Sequence, residues 1–303
     1  MIRALLLAAA GLVLAASVAR DPFQLACERL AGTRAIAIVA LDPATGRLRA
    51  LVHPQLAQEA YPPGSVFKLV TALAAVEEGL APAGRDFLCT GAYKVPGAKG
   101  PPLPCYKADG HGHVALEEAL GLSCNATFYA LGSRLGAPRL RATAERCGLV
   151  PAPGAWLKAP RDARALAQLG IGEGPAIGLT AERLAGFVAA IAVNGPVVTP
   201  AWEPGPLTGP PLAKPEVLAR LRAGMRAAVV RGTAKPAAVP GLAVAGKTGT
   251  STYLDGSNRT HGWFVGYAPA ERPRLVVAVF AKEGTGFGTA SALAGQVFRA
   301  WPR

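Results

Sequence analysis

The chain has 303 residues, of which 51% are hydrophobic and 17% are charged, with 36 glycines and 27 prolines. This composition is typical of a turn-rich globular protein with a sizeable core, and it excludes a disordered chain. The formal net charge is +13, but the basic residues are scattered without a stripe or interleaved aromatic residues, so we expect no nucleic-acid partner.

The N-terminus has the pattern of an export signal. Arg3 precedes an apolar run over residues 4–19, and the small residues SVA stand before Arg20. The run is slightly short of the roughly 20 residues that a comfortable membrane span requires. We therefore expect residues 1–19 to be a signal peptide or, if uncleaved, an N-terminal membrane anchor. The protein would then work in the periplasm or at the extracytoplasmic face of the plasma membrane.

The segments that follow predict a hairpin and then a helix. The sequence AIAIVALDPATGRLRALV (35–52) places two apolar stretches around Asp-Pro-Ala-Thr-Gly, a strong signal for a β-hairpin. The rigid turn YPPG (61–64) leads to a helix predicted from Val66 to about Gly79, because its Ala, Leu and Val residues recur with helical period.

Ser65 and Lys68 stand at the start of this helix, and their arrangement has two interpretations. In the structural one, Ser65 caps the helix and Lys68 is solvated in its first turn. In the chemical one, Ser65 lies at the positive end of the helix dipole, and Lys68 lies on the same face beside its hydroxyl. Serine and lysine at this spacing are common, so this motif alone favours the structural interpretation.

Residues from about 80 to 110 are rich in glycine and proline and predict a loop. The chain has five cysteines, and the sequence leaves open whether Cys89 and Cys105, which flank part of this loop, form a disulfide. His111 and His113 are candidate metal ligands. No carboxylate or third histidine follows them at ligand spacing, so we expect them to belong to the loop and expect neither a metal nor another cofactor.

The middle of the chain predicts helices and its end predicts strands. Helical segments are predicted at 114–121, 124–135, 138–147, 180–193 and 215–230. The sequences HGWFVGYAP and RLVVAVFAK predict two strands joined by a turn that contains proline, and SALAGQVFRAW predicts a closing helix.

Strands at both ends of the chain with helices between them predict an α/β protein of the α+β type. We expect a central antiparallel sheet flanked by helices, with an inserted, mostly helical lobe, all within one domain at 20–303. The sheet lobe would contain residues of about 30–64 and 196–303, and the helical lobe residues of about 65–195. A cleft is expected where the two lobes meet.

Two further polar motifs fall where this cleft is expected. Ser123 and Asn125 stand two residues apart before a predicted helix, which by itself is typical of a helix cap. Lys247, Thr248 and Gly249 occur in a predicted strand. Lys247 and Gly249 share one face of that strand, and Gly249, which has no Cβ, lets another extended backbone lie close to it. Each motif alone is weak.

In chain order the three motifs are Ser-x-x-Lys, Ser-x-Asn and Lys-Thr-Gly, the signature of penicillin-binding proteins and serine β-lactamases. The chain resembles the penicillin-binding transpeptidase family over most of its length. The segments that resemble it are LDPATGRLRALV, YPPGSVFK, DGHGHVALEEALGLSCNATFYALGSRLG, GIGEGPAIGLTAERLAGFVAAIAVNG, MRAAVVRGTA, AGKTGTS and HGWFVGYAP. The resemblance implies a β-lactamase/transpeptidase-like fold. It also implies a serine D,D-transpeptidase that acts on D-Ala-D-Ala stem peptides of peptidoglycan and is acylated by β-lactams.

The resemblance also implies a role for each residue of the motifs. Ser65 would be the nucleophile and Lys68 its base, since burial near the second cation Lys247 would lower the pKa of Lys68. Ser123 would relay a proton from Lys68 to the leaving amine. Asn125 would orient Lys68 and form a hydrogen bond with the peptide group of the substrate.

The remaining residues would bind the substrate. Lys247 and Thr248 suit its terminal carboxylate, and Gly249 lies in the same strand. The backbone N–H groups of Ser65 and Thr250 would form the oxyanion hole. Cys124 fills the variable position of Ser-x-Asn, and we assign it no chemical role.

The reaction that follows acylation stays open. An amine acceptor gives transpeptidation, water gives D,D-carboxypeptidation, and rapid attack of water on the penicilloyl-enzyme would make a serine β-lactamase. No Glu-x-x-x-Asn segment between Ser123 and Lys247 supplies the glutamate-held water of class A β-lactamases. Class D enzymes usually carry an aliphatic residue where Asn125 stands, so we favour the penicillin-binding interpretation. A sensor that binds β-lactams or wall fragments without turnover is the alternative from another class.

Overall fold

The computed structural model describes residues 21–150 and 155–302. The export segment predicted at 1–19 lies outside these residues. Among the residues that are described, no helix is both long enough and apolar enough to cross a membrane.

Strands and helices of the described chain are numbered in chain order. The strands are β1 (Ile36–Leu41), β2 (Leu48–Val52), β3 (Asp86–Cys89), β4 (Ala92–Tyr93), β5 (Leu103–Pro104), β6 (Gly112–Ala115), β7 (Trp156–Leu157), β8 (Ile177–Gly178), β9 (Ala245–Thr252), β10 (Thr260–Ala268) and β11 (Leu275–Ala281). The helices are α1 (Pro22–Ala31), α2 (Pro54–Gln58), α3 (Lys68–Glu77), α4 (Leu116–Gly121), α5 (Asn125–Arg146), α6 (Ala163–Leu169), α7 (Ala181–Val193), α8 (Pro215–Arg231) and α9 (Ser291–Ala300).

A five-stranded antiparallel sheet forms the centre of the molecule, in the order β2-β1-β11-β10-β9. It joins the two ends of the chain, since Ile36 of β1 pairs with Ala281 of β11. The sheet and its flanking helices confirm the predicted fold class. β9 is an edge strand, so one side of its backbone is available to another element or to a ligand.

Both faces of this sheet are covered, which explains the unbroken apolar runs of β1 and β11. Ile38 and Val277 belong to one buried cluster, whereas Val39 and Phe280 belong to another. Helices α1 and α9 pack on the first face, and α7 packs on the second. Because successive side chains of a strand point to opposite faces, a strand buried on both sides needs apolar residues throughout.

A layer of helices formed by α3, α4, α5 and α8 lies beside the sheet, and α8 contacts the edge strand β9. Two helices lie outside the lobe in which the sequence predicted them. Helix α7, predicted in the helical lobe, packs on the sheet because it is apolar along nearly its whole length. Helix α8, predicted in the sheet lobe, packs on α4.

Several predicted elements also differ in detail. Ser65 lies in a 3₁₀ turn, Gly64–Phe67, and Lys68 is the first residue of α3, which continues from it, so the predicted helix starts as a tighter turn. The predicted helices at 124–135 and 138–147 are the two halves of α5, which is interrupted at Gly136 (φ 76°, ψ 161°). The loop predicted at 80–110 contains β3, β4 and β5; β4 pairs with β5, and β3 pairs with β6, which follows the loop.

Candidate active site

A cavity of about 540 Å³ opens between the edge strand β9, the Gly64–Phe67 turn and the layer of helices. Six of the eight residues that the sequence predicts for the site line it: Ser65, Ser123, Asn125, Thr248, Gly249 and Thr250. The other two, Lys68 and Lys247, are 0% exposed and contact residues of the lining. The structure therefore brings the three motifs together.

The hydroxyl of Ser123 lies between the two buried amines. Lys68 Nζ donates to Ser123 O at 2.7 Å and to Asn125 Oδ1 at 2.6 Å, and it lies 3.3 Å from Ser123 Oγ. Lys247 Nζ donates to Ser123 Oγ at 2.9 Å and to Thr248 O at 2.8 Å. Ser123 adopts a φ of 55°, a left-handed conformation that is uncommon and strained for a non-glycine residue.

Burial changes the protonation of both lysines. It lowers the pKa of Lys68 from 10.5 to about 7, although nearby acidic groups, among them Glu173, act in the opposite direction. Burial, followed by the charge of Lys68, lowers the pKa of Lys247 well below its usual value. An amine with a pKa near neutrality is uncharged often enough to act as a base, whereas an exposed lysine is not.

The amine of Lys68, which the sequence places beside the Ser65 hydroxyl, forms its hydrogen bonds with other residues. Ser65 lies in the Gly64–Phe67 turn and lines the cavity. Within residues 21–150 and 155–302, no hydrogen bond joins the Ser65 hydroxyl to Lys68 Nζ. The amine is held by Ser123 and Asn125 instead, because two carbonyl oxygens accept its protons.

The backbone of β9 lies directly against the turn that carries Ser65. A Cβ added at Gly64, where φ is 51°, would lie 2.3 Å from Thr250 O. A Cβ added at Gly249 would lie 2.6 Å from Pro63 O and 3.0 Å from Val66 N. The close backbone that Gly249 admits is thus the chain's own turn, not the extended partner that the sequence analysis expected.

Several residues of the lining were not predicted from the sequence: Tyr106, Glu173, Arg231, Thr233 and Phe287. Thr233 Oγ1 lies 2.7 Å from Thr248 Oγ1, and burial raises the pKa of Glu173 to about 7. Glu173 and Thr233 lie in the segments GIGEG and MRAAVVRGTA, which carry the family resemblance but were given no role. No pattern in the sequence indicated Phe287.

A cluster of thiols lies next to the Ser-x-Asn motif. Cys89, Cys105 and Cys124 are free and buried, so the disulfide that the sequence left open is absent. The Sγ atoms of Cys89 and Cys105 lie 3.5 and 3.6 Å from His111 Nδ1. Residue spacing predicts His111 only as part of the loop and predicts no role for Cys124, because the ligand atoms come from separate segments.

The fold and the motifs agree with a known family. A family model described as the penicillin binding protein transpeptidase domain matches residues 36–302.

Curated relatives are longer than this chain. The peptidoglycan D,D-transpeptidase PbpA of Mycolicibacterium smegmatis is 30% identical over 334 residues, which cover 87% of this chain and 65% of the relative. The peptidoglycan D,D-transpeptidase MrdA of Acinetobacter baumannii is 27% identical, with 91% of this chain and 52% of the relative covered. The chain therefore spans less than two thirds of the length of these relatives.

Solved structures share the fold. The D,D-transpeptidase domain of a peptidoglycan glycosyltransferase from Eggerthella lenta has a TM-score of 0.79 and 27% identity, over 92% of this chain and 80% of that one. Penicillin-binding protein A from M. tuberculosis, in a penicillin G acyl-enzyme complex, has a TM-score of 0.77 and 28% identity, over 92% of this chain and 78% of that one.

Proposed function

This chain belongs to the penicillin-binding protein transpeptidase domain family, and from that premise we propose that it is a serine D,D-transpeptidase acting on D-Ala-D-Ala stem peptides of peptidoglycan. One observation carries the proposal. The Ser123 hydroxyl bridges the amines of Lys68 and Lys247 at the wall of the cavity that Ser65 also lines. In the proposed reaction Ser65 is the nucleophile and Lys68 the base, while Ser123 relays a proton and Lys247 is the cation for a carboxylate.

Acylation begins at Ser65. Its Oγ attacks the carbonyl carbon of the penultimate D-Ala, and the hydroxyl proton passes to uncharged Lys68 once the amine turns from Asn125 towards Ser65. The bond from that carbon to the nitrogen of the terminal D-Ala then breaks. The leaving nitrogen takes a proton from Ser123, which regains one from Lys68. A β-lactam would be opened by the same attack and would remain attached as a covalent inhibitor.

Binding relies on the edge strand. Lys247, charged when substrate is bound, and Thr248 hold the terminal carboxylate, and Thr233 supports the Thr248 hydroxyl. The backbone N–H groups of Ser65 and Thr250 stabilise the oxyanion, and the loss of one such donor would lower the rate about 100-fold or more. None of these steps requires a cofactor.

A second outcome, D,D-carboxypeptidation, is favoured by one observation. Glu173 lines the same cavity, and its pKa is raised to about 7, so part of the population carries a carboxylate that can accept a proton from water. Transfer to an amine acceptor is the main proposal because the family model and the curated relatives are described as transpeptidases.

The proposed substrate indicates where in the cell the protein works. Peptidoglycan stem peptides are joined outside the cytoplasm, and we place the protein at the extracytoplasmic face of the plasma membrane or in the periplasm. The apolar run at 4–19 supports export. If this segment is retained, it anchors the protein to the membrane.

A fluorescent penicillin tests the acylation step. We expect the protein to be labelled persistently and the Ser65→Ala variant to remain unlabelled, whereas Ser257→Ala, the same change at a surface turn, keeps the label. Circular dichroism shows that each variant is folded. Rapid loss of the label would identify a β-lactamase, and a folded wild-type protein that takes no label would overturn the proposal.

A stem pentapeptide tests the fate of the acyl-enzyme. With an added amine acceptor, we expect a cross-linked product whose yield rises with the acceptor concentration. Release of D-Ala that does not depend on the acceptor, and that is lost in Glu173→Gln, would show carboxypeptidation and overturn the transpeptidase assignment.

A further inference from the structure

Four side chains that the acyl-transfer reaction does not use meet beside the Ser-x-Asn motif. Cys89 ends β3, Cys105 follows β5, His111 precedes β6, and Cys124 is the N-cap residue of α5. Their ligand atoms all lie within 4.8 Å of one another. The three cysteines are 1%, 4% and 0% exposed in this order, so the thiols are shielded from water, and His111 is half-buried.

The distances within the cluster fit a tetrahedral metal ion. Around zinc, a thiolate sulfur at about 2.3 Å and an imidazole nitrogen at about 2.0 Å lie about 3.6 Å apart. Cys89 Sγ and Cys105 Sγ lie 3.5 and 3.6 Å from His111 Nδ1. These atoms therefore already stand at the separations that ligands of one zinc ion adopt.

We propose that Cys89, Cys105, His111 and Cys124 bind one Zn²⁺ ion in a closed Cys₃His site. Thiolates together with an imidazole are the ligands that structural zinc prefers, and a site with four protein ligands leaves no position for substrate. Binding requires the thiolate forms, so the cysteine protons are released to solvent as the Zn–S bonds form.

Contacts around the cluster orient the ligands. His111 Nε2 lies 3.2 Å from the Tyr106 hydroxyl, which donates to Leu122 O. This contact fixes the imidazole ring with Nδ1 towards the thiols, as the outer contacts of metal-bound histidines usually do. The backbone N–H of Asn125 donates to Cys105 Sγ at 3.3 Å, and such bonds stabilise a thiolate.

The position of the cluster gives the metal a role at the active site. Cys124 lies between Ser123 and Asn125, the two residues that hold Lys68. The segment from 90 to 111 is long and rich in glycine and proline, and its regular structure is limited to the two-residue strands β4 and β5. Zinc would join this segment to the N-terminus of α5, so Ser123 and Asn125 are positioned by an ion that never touches substrate.

Metal analysis tests the site without using activity. The protein is purified without a histidine tag from zinc-supplemented cells. We expect it to contain about one zinc ion per chain, as measured by inductively coupled plasma mass spectrometry. Cys105→Ala and His111→Ala should lose the zinc. The matched controls Cys147→Ala and His113→Ala, which change the same residue types outside the cluster, should retain it.

Cobalt provides a second measurement. Replacement of zinc by Co²⁺ should give the intense visible bands of a tetrahedral site together with thiolate-to-cobalt charge transfer, and neither should be present in Cys105→Ala. Wild-type protein with no more zinc than Cys105→Ala would overturn the proposal. So would a disulfide between two of the cluster cysteines, detected by peptide mass as the loss of two hydrogens.

Acylation then tests the positioning role separately from the proposed function. Chelated protein that remains folded by circular dichroism should react with penicillin about 10-fold or more slowly than the zinc-loaded protein, the usual scale for lost outer-sphere support. Added zinc should restore the rate. An unchanged rate would overturn the positioning role. Ser65→Ala should retain its zinc while taking no label, so failure of either proposal is seen independently of the other.

Discussion

Lys68 and Lys247 share a single hydroxyl, that of Ser123, and both are removed from water. Two amines in one buried network cannot both hold a proton at low cost, since each charge opposes the other. In the proposed reaction the carboxylate of the substrate favours the charged form of Lys247, and this charge keeps Lys68 neutral. The substrate would therefore help to prepare the base that attacks it.

This arrangement predicts how acylation depends on pH. The rate constant for penicillin acylation should rise with pH around a midpoint near the Lys68 pKa of about 7. The carboxylate of Glu173 raises the pKa of Lys68, so Glu173→Gln should move the midpoint to lower pH. Glu203→Gln, at an exposed position, is the control and should leave it unchanged. A midpoint that moves upward in Glu173→Gln would contradict the role given to Lys68.

Sequence patterns predicted which residues lie together, but not every hydrogen bond between them. Ser65, Ser123 and Asn125 line one cavity, as the order of the three motifs indicated. The contacts of Lys68 with Ser123 and Asn125 agree with the roles that the family resemblance implies. That Lys68 forms no hydrogen bond with Ser65 was not predicted, because it depends on where α5 begins relative to the turn. The thiol cluster was missed for a similar reason: its ligands come from four segments, and spacing rules detect only ligands that are close in sequence.

The turn that carries Ser65 and the edge strand β9 act as one unit. Pro62 O accepts hydrogen bonds from Ser251 Oγ at 2.6 Å and from Trp263 Nε1 at 2.9 Å. These bonds attach the proline-rich turn to the sheet, and the glycines at 64 and 249 permit the close approach. The turn thus covers part of an edge that would otherwise be open to pairing with another chain.

A methyl group at Gly249 should therefore separate the two elements. In Gly249→Ala the Cβ would press against Pro63 O and Val66 N, so the turn must move. We expect acylation to fall about 100-fold or more, the scale of a lost oxyanion donor, and the free energy of unfolding to fall by about 1–3 kcal/mol. Gly205→Ala, where nothing lies within 4 Å of the added Cβ, is the matched control. Wild-type acylation by Gly249→Ala would show that the close packing is not required.

Elements with long periodic patterns were predicted well, and short ones were not. The hairpin of β1 and β2 follows from two apolar stretches around a turn sequence, and the helix α7 follows from its long apolar segment. Two-residue strands such as β4 and β7 are set by tertiary contacts rather than by their own sequence. Helix α1 was missed although Asp21 caps it by accepting from Phe23 N at 2.8 Å.

Across the whole molecule, the site is formed where the sheet edge meets the layer of helices. Helix α8 contacts both α4 and β9, and an ion pair between Arg220 and Glu117 links α8 to α4. The two lysines are buried at this junction between layers that pack through apolar side chains. The burial of Lys68 lowers its pKa and so makes it a usable base. The same burial opposes folding, because the unfolded chain keeps the lysine charged in water.

The free energy of unfolding should therefore depend on pH. Between about pH 7 and pH 10.5 the folded state holds Lys68 neutral while the unfolded state protonates it. The unfolded state thus binds more protons, and the free energy of unfolding should rise with pH by up to about 1.4 kcal/mol per unit over this window. Urea denaturation at a series of pH values should show a shallower rise for Lys68→Met than for the wild type, whereas the exposed Lys214→Met should follow the wild type. Parallel curves for the wild type and Lys68→Met would mean that Lys68 stays charged when folded, which would remove the base from the proposed reaction.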